Sequence, residues 1–545
     1  MTGRRLRLAA LLLLCFVAFW WRLGYLGLID PDEPFYAQSS REMLEAHDWV
    51  TPRIFDQPQF EKPILIYWLS MVSFRTLGDN ELAARAPAAL FATLLVFMTW
   101  AFAARAINER AAFLASIALA TSAEFFVSAR MMLTDMVFAA FVCGSVFSLW
   151  IASRSVRRPG LWFVVACALS GLAVLTKGPL GLLLPALAIP AMLLAREHRL
   201  SVRPIPLVGG LAVFAAIAVP WYAIMLQKFG RSYFEAFFIH ENVERFFRAE
   251  HRSNNHLYYY LAVLAGGSVP WTPALAALAS PARRQAIWDA TSRFLASWGL
   301  LCLAFFTLAA SKLPSYVLFL FVPLALLIGR ALDLLLQADD RGQLTKWAMG
   351  GLSLAQVVPF LVAPRMPPYS VLAWPLGFVA ACLTIALVLQ MRRISLTWIA
   401  ASASSSIVLL LVCLTWAGPS VDAIVSTRSL SREIRDKLRP SETLMASPLL
   451  ARGVSYYTRQ PVTVLSDRAR PFYSPHPLPI VRGSRGLDSL LEGGGSALCA
   501  TSGRDWARLE PVLRRDTGVV LDTIGDKIVA RVSTMNEALL GRRDP

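Results

Sequence analysis

Three carboxylates, Asp30, Asp32 and Glu33, fall within four residues in the stretch DPDEPFY, directly after the first apolar run of the chain. A fourth, Asp135, opens a later apolar run in RMMLTDMVFAAF. A single acid in either place has a plain explanation: it marks the water boundary, caps a helix or pairs with Arg130. Brought together, Asp32 and Asp135 offer more. Two convergent carboxylates can orient an acceptor, take its proton, or stabilise the positive charge of an oxocarbenium-like transition state. Glu33, beside Asp32, joins this candidate catalytic set. Ionisable groups at membrane depth are functional candidates because burying them is costly.

Basic residues gather in neighbouring segments. Lys62 follows Glu61 in QFEKP, Arg245 lies in FFIHENVERFFR, and Lys312 and Tyr316 lie in SKLPSYVLFLFVP. A lysine or arginine among aromatic residues at a membrane surface suits a lipid phosphate. Arginine forks onto the oxygens, and the rings lie at headgroup level. Simpler roles are a salt bridge for Lys62 and snorkelling to the interface for Lys312. Glu61 and His240 could share a divalent cation, although no HExxH or other short ligand spacing supports it.

These residues need elements to hold them on one side of a membrane. Of 545 residues, 56% are hydrophobic and only 16% charged, and the mean hydropathy is +0.52. Continuous apolar runs of about 20 residues recur to about residue 417, each long enough to cross a bilayer. The chain therefore reads as an α-helical polytopic membrane protein. The net charge of +17 does not indicate nucleic acid, because Lys and Arg sit mainly in short links between the runs. Six cysteines lie in apolar runs and Cys499 stands alone, so no disulfide framework is expected.

The first helix is expected over about 8–29, uncleaved, with Arg4, Arg5 and Arg7 holding the N-terminus in the cytoplasm. Further spans are expected at about 82–104, 110–129, 131–153, 161–177, 178–196, 204–226, 256–279, 294–311, 314–337, 345–363, 371–391 and 395–417. That makes about 13 transmembrane helices. Inner links carry pairs such as Arg157 and Arg158, Arg283 and Arg284, and Arg392 and Arg393. Outer links are poor in basic residues apart from two long loops at about 30–81 and 227–255. The first loop is expected to hold an amphipathic helix near Ser39–His47 and an interfacial segment over Pro63–Leu77. The transmembrane domain is taken as 1–417 and a periplasmic α/β domain as 418–545, with a helix at Ser426–Leu438 and five short strands from Thr443 to Val532. That domain has no cluster of acids or histidines, which gives it a structural or gating role.

Taken in order, DPDE-x-x-Y, F-E-K-P, R-M-x-L-T-D, H-E-N-x-x-R-F and S-K-L-P-x-Y resemble the bacterial aminoarabinose transferases of lipid A. These belong to the wider superfamily of protein O-mannosyltransferase-like GT-C enzymes. The resemblance covers about the first 330 residues. It implies an undecaprenyl-phosphate-linked sugar, aminoarabinose in the best-known members, as donor. It implies a lipid A phosphate as acceptor, inversion at the anomeric carbon, and a bacterial inner-membrane location with the site facing the periplasm. Asp32 and Asp135 match the essential acidic pair, and Lys62 and Arg245 match residues facing the carrier phosphate. Glu61 and His240 match a pair of zinc ligands, and Tyr36 and Tyr316 match pocket tyrosines. Lys312 is placed on the basic side of that pocket. The stretch PFYAQSSREM and the C-terminal domain depart from the family pattern, and both lie where sugar and acceptor could be chosen. Transfer to lipopolysaccharide core or to protein hydroxyls is the alternative within this chemistry. A lipid-linked sugar flippase would instead place its charges at the bilayer midplane on broken helices. A non-catalytic scaffold gives no reason for acids and bases to gather on one side.

Overall fold

The computed structural model describes residues 2–155, 157–196, 203–248, 254–337, 373–392, 418–466, 478–482, 496–509 and 517–533, with isolated positions between 347 and 408. Among the described residues, six helices are long and apolar enough to cross a membrane: Glu81–Ala106, Thr134–Arg154, Pro159–Lys177, Pro204–Phe247, Ala290–Leu308 and Pro314–Gln337. Thr134–Arg154 is the most enclosed and Pro204–Phe247 the least, so the first forms the interior of the bundle and the second presents its side chains outward. Thr134–Arg154 packs on both Pro159–Lys177 and Glu81–Ala106. Phe102 stacks on Phe147 in the latter contact, with ring centroids 4.1 Å apart. Helix starts follow local chemistry. Asn80 accepts from the Ala83 amide at 2.9 Å, and Asp289 from that of Ser292 at 2.8 Å.

Several expected spans are altered. The first helix runs over Thr2–Cys15 and continues as a π segment, Phe16–Trp20, ending well before residue 29. The apolar residues beyond it are buried by protein: Leu23 and Leu28 are enclosed, and the Leu28 amide donates to the Tyr457 hydroxyl at 2.7 Å. The expected 110–129 helix breaks at Ser122 into Glu109–Thr121 and Ala123–Ser128. The expected 178–196 helix is two short pieces, Leu180–Ala186 and Ala188–Leu194. Pro185 and Pro190 each remove a helical donor there. Residues 256–279 form a helix, Tyr259–Gly267, and a 3-10 segment, Thr272–Ala279. The loop expected over 227–255 is helical as far as Phe247, through a π segment, Phe234–Glu244. The expected spans at 345–363 and 395–417 fall largely outside the described residues, and the one at 371–391 is met by Ala373–Arg392.

The first extramembrane segment holds a helix, Asp32–Glu45, a two-stranded hairpin of β1 (Arg53–Ile54) and β2 (Gln57–Pro58), and a helix, Leu65–Leu77. The last has 13 residues, about 20 Å at 1.5 Å per residue, short of the roughly 30 Å of a bilayer core.

The C-terminal region forms one sheet of β3 (Thr443–Ala446), β4 (Thr463–Ser466), β5 (Ile480–Arg482), β6 (Ser496–Ser502), β7 (Thr517–Ile524) and β8 (Lys527–Ser533), in the order β5-β4-β3-β6-β8-β7. The pairs β3–β4, β3–β6 and β4–β5 are parallel, while β8 runs antiparallel to β6 and β7. The helix Arg428–Lys437 lays Leu430 and Ile434 on this sheet, against Leu444, Val464 and Leu498. A second helix, Ala451–Thr458, sets Ala451 and Val454 in the same core and packs with its other side on Asp32–Glu45. Asp422 accepts from the Gly27 amide at 2.6 Å, and Arg428 pairs with Glu81 at 3.2 Å. These bonds fix the sheet domain against the base of the DPDE stretch.

Candidate active site

Glu33 is fully buried, and its carboxylate is spent on structure. Arg85 donates to it through Nε at 2.9 Å and Nη2 at 2.6 Å. The amides of Ile29 and Met132 donate to it at 2.7 and 2.6 Å. All acceptor capacity is used, which corrects the expectation that Glu33 shares the chemistry. It is a clamp. It joins the turn carrying Asp32, the helix carrying Arg85 and the turn that leads into Asp135. Asp30 is likewise drawn into the domain seam, its amide donating to the Val425 carbonyl at 2.9 Å.

The clamp leaves Asp32 facing the cleft at the N-terminal end of its helix, a favourable place for a negative charge. Asp32 is reached by water yet ringed by protein. That burial pushes its carboxyl above the usual carboxylate range, while the positive charges of Arg452 and Lys62 pull it down and Asp135 and Glu61 push it up. Asp32 and Asp135 therefore lie close enough to repel one another. Asp135 is only 7% exposed. Its Oδ1 accepts from Lys177 Nζ at 2.5 Å, and that ammonium lies 4.8 Å from the centre of the Tyr316 ring. Lys177 is the last residue of its span.

A cavity of about 280 Å³ opens beside this pair. Glu61, Lys62, Lys177, Arg245 and Tyr316 line its polar end, and Phe138, Leu180, Leu183, Phe305 and Phe306 its apolar wall. Glu241 bridges the two phosphate-binding candidates, accepting from Lys62 at 2.9 Å and from Arg245 at 2.5 Å. The π segment turns Glu241 toward Lys62 while Arg245, four residues on, reaches back to it. Tyr36 is buried under the cleft, its ring centre 6.1 Å from that of Tyr67.

Two expected residues behave differently. Lys312 is 1% exposed and does not line the cavity. Its ammonium donates to Asn255 Oδ1 and the Ala309 carbonyl, both at 2.7 Å, so it ties two segments of the outer loops together. His240 is half-exposed, and its Nδ1 lies 3.0 Å from Glu244 Oε2. Among the described residues no three His, Cys, Asp or Glu side chains gather as a metal site. Glu61, the other half of the expected cation pair, lines the cavity.

The arrangement offers paired cations beside an apolar wall, then an ion-paired carboxylate, then a second carboxylate in a cleft. That suits a ligand with an anionic head on an apolar chain and a reacting centre between the two carboxylates.

Comparison with known proteins agrees with this geometry. Residues 61–223 match the family described as Dolichyl-phosphate-mannose-protein mannosyltransferase. The chain is 36% identical over 341 residues to the undecaprenyl phosphate-alpha-4-amino-4-deoxy-L-arabinose arabinosyl transferase of Pseudomonas aeruginosa, covering 60% of each protein. It is 31% identical over 310 residues to the protein of that name in Erwinia tasmaniensis, covering 56% of this chain and 55% of the relative. In both cases the match spans less than two thirds of the relative's length. The crystal structure of ArnT from Cupriavidus metallidurans in the apo state superposes with a TM-score of 0.75 at 25% identity, over 96% of this chain and 97% of that one. The structure of the same protein bound to undecaprenyl phosphate gives a TM-score of 0.74 at 24% identity, over the same shares. The fold is thus that of a GT-C membrane protein with a small C-terminal sheet domain.

Proposed function

We propose that this chain, a multi-pass membrane protein of the aminoarabinose-transferase-like GT-C type, moves a sugar from undecaprenyl phosphate to a phosphate of lipid A. The sugar is 4-amino-4-deoxy-L-arabinose or another amino sugar. The site faces the periplasm at the bacterial inner membrane. The observation that carries this reading is the cavity itself, whose polar end holds Lys62 and Arg245 and whose wall is apolar. A polyprenyl phosphate has that division of character, and the names of the relatives point the same way.

In this reading the isoprenoid chain lies along Phe305, Phe306 and Leu183, and the carrier phosphate takes the place that Glu241 shares between Lys62 and Arg245. The bond between the anomeric carbon and the carrier phosphate oxygen breaks, and its electron pair leaves with the phosphate. Lys62 and Arg245 stabilise the charge that grows there. The acceptor oxygen attacks from the opposite face and forms the new bond, with inversion. A phosphate acceptor is already ionised and needs no general base, so Asp32 orients it and stabilises the ring cation. Asp135, neutralised by Lys177, sets the other wall of the reaction space. Glu61 and His240 are the residues that would hold a divalent cation, whose positive charge would help stabilise the leaving phosphate.

The test uses purified protein in lipid nanodiscs with undecaprenyl-phosphate aminoarabinose and lipid A. Sugar transfer in the wild type, lost in Lys62→Ala and Arg245→Ala, supports the reading. Transfer to a dephosphorylated glycolipid or a protein hydroxyl, and none to lipid A phosphate, would move the acceptor to the alternative class and give Asp32 the role of base.

A further inference from the structure

The C-terminal domain sends one charged side chain into the cleft. Arg452 lies at the start of the helix Ala451–Thr458, is 6% exposed, and sets its guanidinium carbon 4.6 Å from the centre of the Phe35 ring. Among the described residues its Nε is buried with no hydrogen-bond partner. Of the charges acting on Asp32, that of Arg452 is the strongest. Buried guanidinium groups are normally paired, because leaving a donor or a charge unsatisfied is costly.

The position is built into the fold. Gly453 lets the helix approach the DPDE stretch: a Cβ there would stand 2.0 Å from Asp30 Oδ1 and 2.2 Å from Thr427 Oγ1. The Tyr456 hydroxyl donates to Asp79 at 2.8 Å and that of Tyr457 to Glu81 at 3.1 Å. Arg41 caps the Tyr456 ring at 4.0 Å. The helix is therefore held from both sides while, among the described residues, the Arg452 head group meets the Phe35 ring and no carboxylate.

We infer that Arg452 is the acceptor's phosphate-binding residue, held by the sheet domain on the Asp32 side of the cleft with Phe35 as its platform. This rests on the proposed function, in which the carrier phosphate is held on the far side by Lys62 and Arg245. Neither Arg452 nor Asp32 is among the residues that line that cavity. An inverting displacement requires such a division, with the leaving group and nucleophile on opposite faces of the anomeric carbon. The amine of an amino sugar would be repelled by an arginine, whereas a phosphate monoester matches its forked donors. The C-terminal domain thereby becomes part of the acceptor site.

The test is steady-state kinetics of the full chain in nanodiscs with the donor and acceptor varied separately. Arg452→Gln is expected to raise the KM for phosphorylated lipid A at least tenfold, leave the donor KM and undecaprenyl phosphate binding within twofold, and be partly rescued by Arg452→Lys. An unchanged acceptor KM overturns the assignment, and an equal rise in donor KM assigns Arg452 to the donor instead. A fall in thermal stability with no rescue by lysine reduces it to a structural role. Binding of phosphorylated and dephosphorylated lipid A to the Asp32→Asn protein, with and without Arg452→Gln, separates this from failure of the functional reading. If the wild type transfers nothing but phosphate-dependent binding is lost with Arg452, the phosphate site stands and the reaction is wrong. If binding never depends on the phosphate or on Arg452, the site falls.

Discussion

Lys177 Nζ donates to Asp135 Oδ1 at 2.5 Å, joining the outer end of one span to the outer start of another. Both side chains are largely buried, so each charge depends on its partner. Removing one partner of such a pair costs about 3–5 kcal/mol, because the other is left buried and uncompensated. Lys177→Met is expected to lower the melting temperature of the purified protein and to abolish transfer. Adding Asp135→Asn should restore much of the stability and none of the activity, which a thermal scan and a transfer assay on the same preparations will check.

The neighbours Asp32 and Glu33 should separate cleanly. Glu33→Gln breaks the buried clamp with Arg85 and two backbone amides, and is expected to destabilise by about 3–5 kcal/mol. Asp32→Asn faces the cleft and should leave the melting temperature nearly unchanged while removing transfer. Equal stability losses in the two variants would contradict the division drawn here.

Glu241 holds Lys62 and Arg245 together. A carrier phosphate must share or displace it, so Glu241→Gln is expected to tighten undecaprenyl phosphate binding several-fold. Lys62→Ala and Arg245→Ala should each weaken it about 10- to 100-fold, in line with about 1.5–3 kcal/mol for a hydrogen bond to a charged group. Titration calorimetry in detergent measures all three.

The pH dependence follows from Asp32. Burial raises its carboxyl, so the ionised form needed to stabilise a cation is lost at a higher pH than for an ordinary aspartate. The acid limb of kcat/KM should lie above the usual carboxylate range. Arg452→Gln, which is expected to keep measurable transfer, removes a charge that pulls the carboxyl down and should move the limb to higher pH. Glu61→Gln removes a charge that pushes it up and should move the limb to lower pH. Pre-steady-state transfer rates over a pH series will read the direction of each shift.

Much of the fold was legible because apolar run length and basic links are local signals. The five expected strands match β3, β4, β6, β7 and β8, and the helix expected at Ser426–Leu438 is found at Arg428–Lys437. The residues 23–29 misled because an apolar stretch buried by protein reads like one buried by lipid. In the site, Asp32, Asp135, Lys62 and Arg245 stood out as charges beside membrane runs. Glu33 shared that signal, and only its buried partner Arg85, 52 residues away, reveals its different role. Lys177 and Glu241 were visible only as a basic residue at a span end and a letter in HENVERF, since pairing is a property of distance. Arg452 carried no signal at all: its helix, ARGVSYYT, is two turns long and has a glycine in the first. A close approach to Asp30 explains that glycine, and only the assembled fold makes it visible.

The most direct measurement is mass spectrometry of lipid A from cells lacking the gene and complemented with the wild type or Asp32→Asn. The account predicts a phosphate-linked amino sugar that is absent in the deletion, restored by the wild type and not restored by Asp32→Asn. Lipid A that is identical in all three strains, under conditions where the protein is expressed, would contradict it.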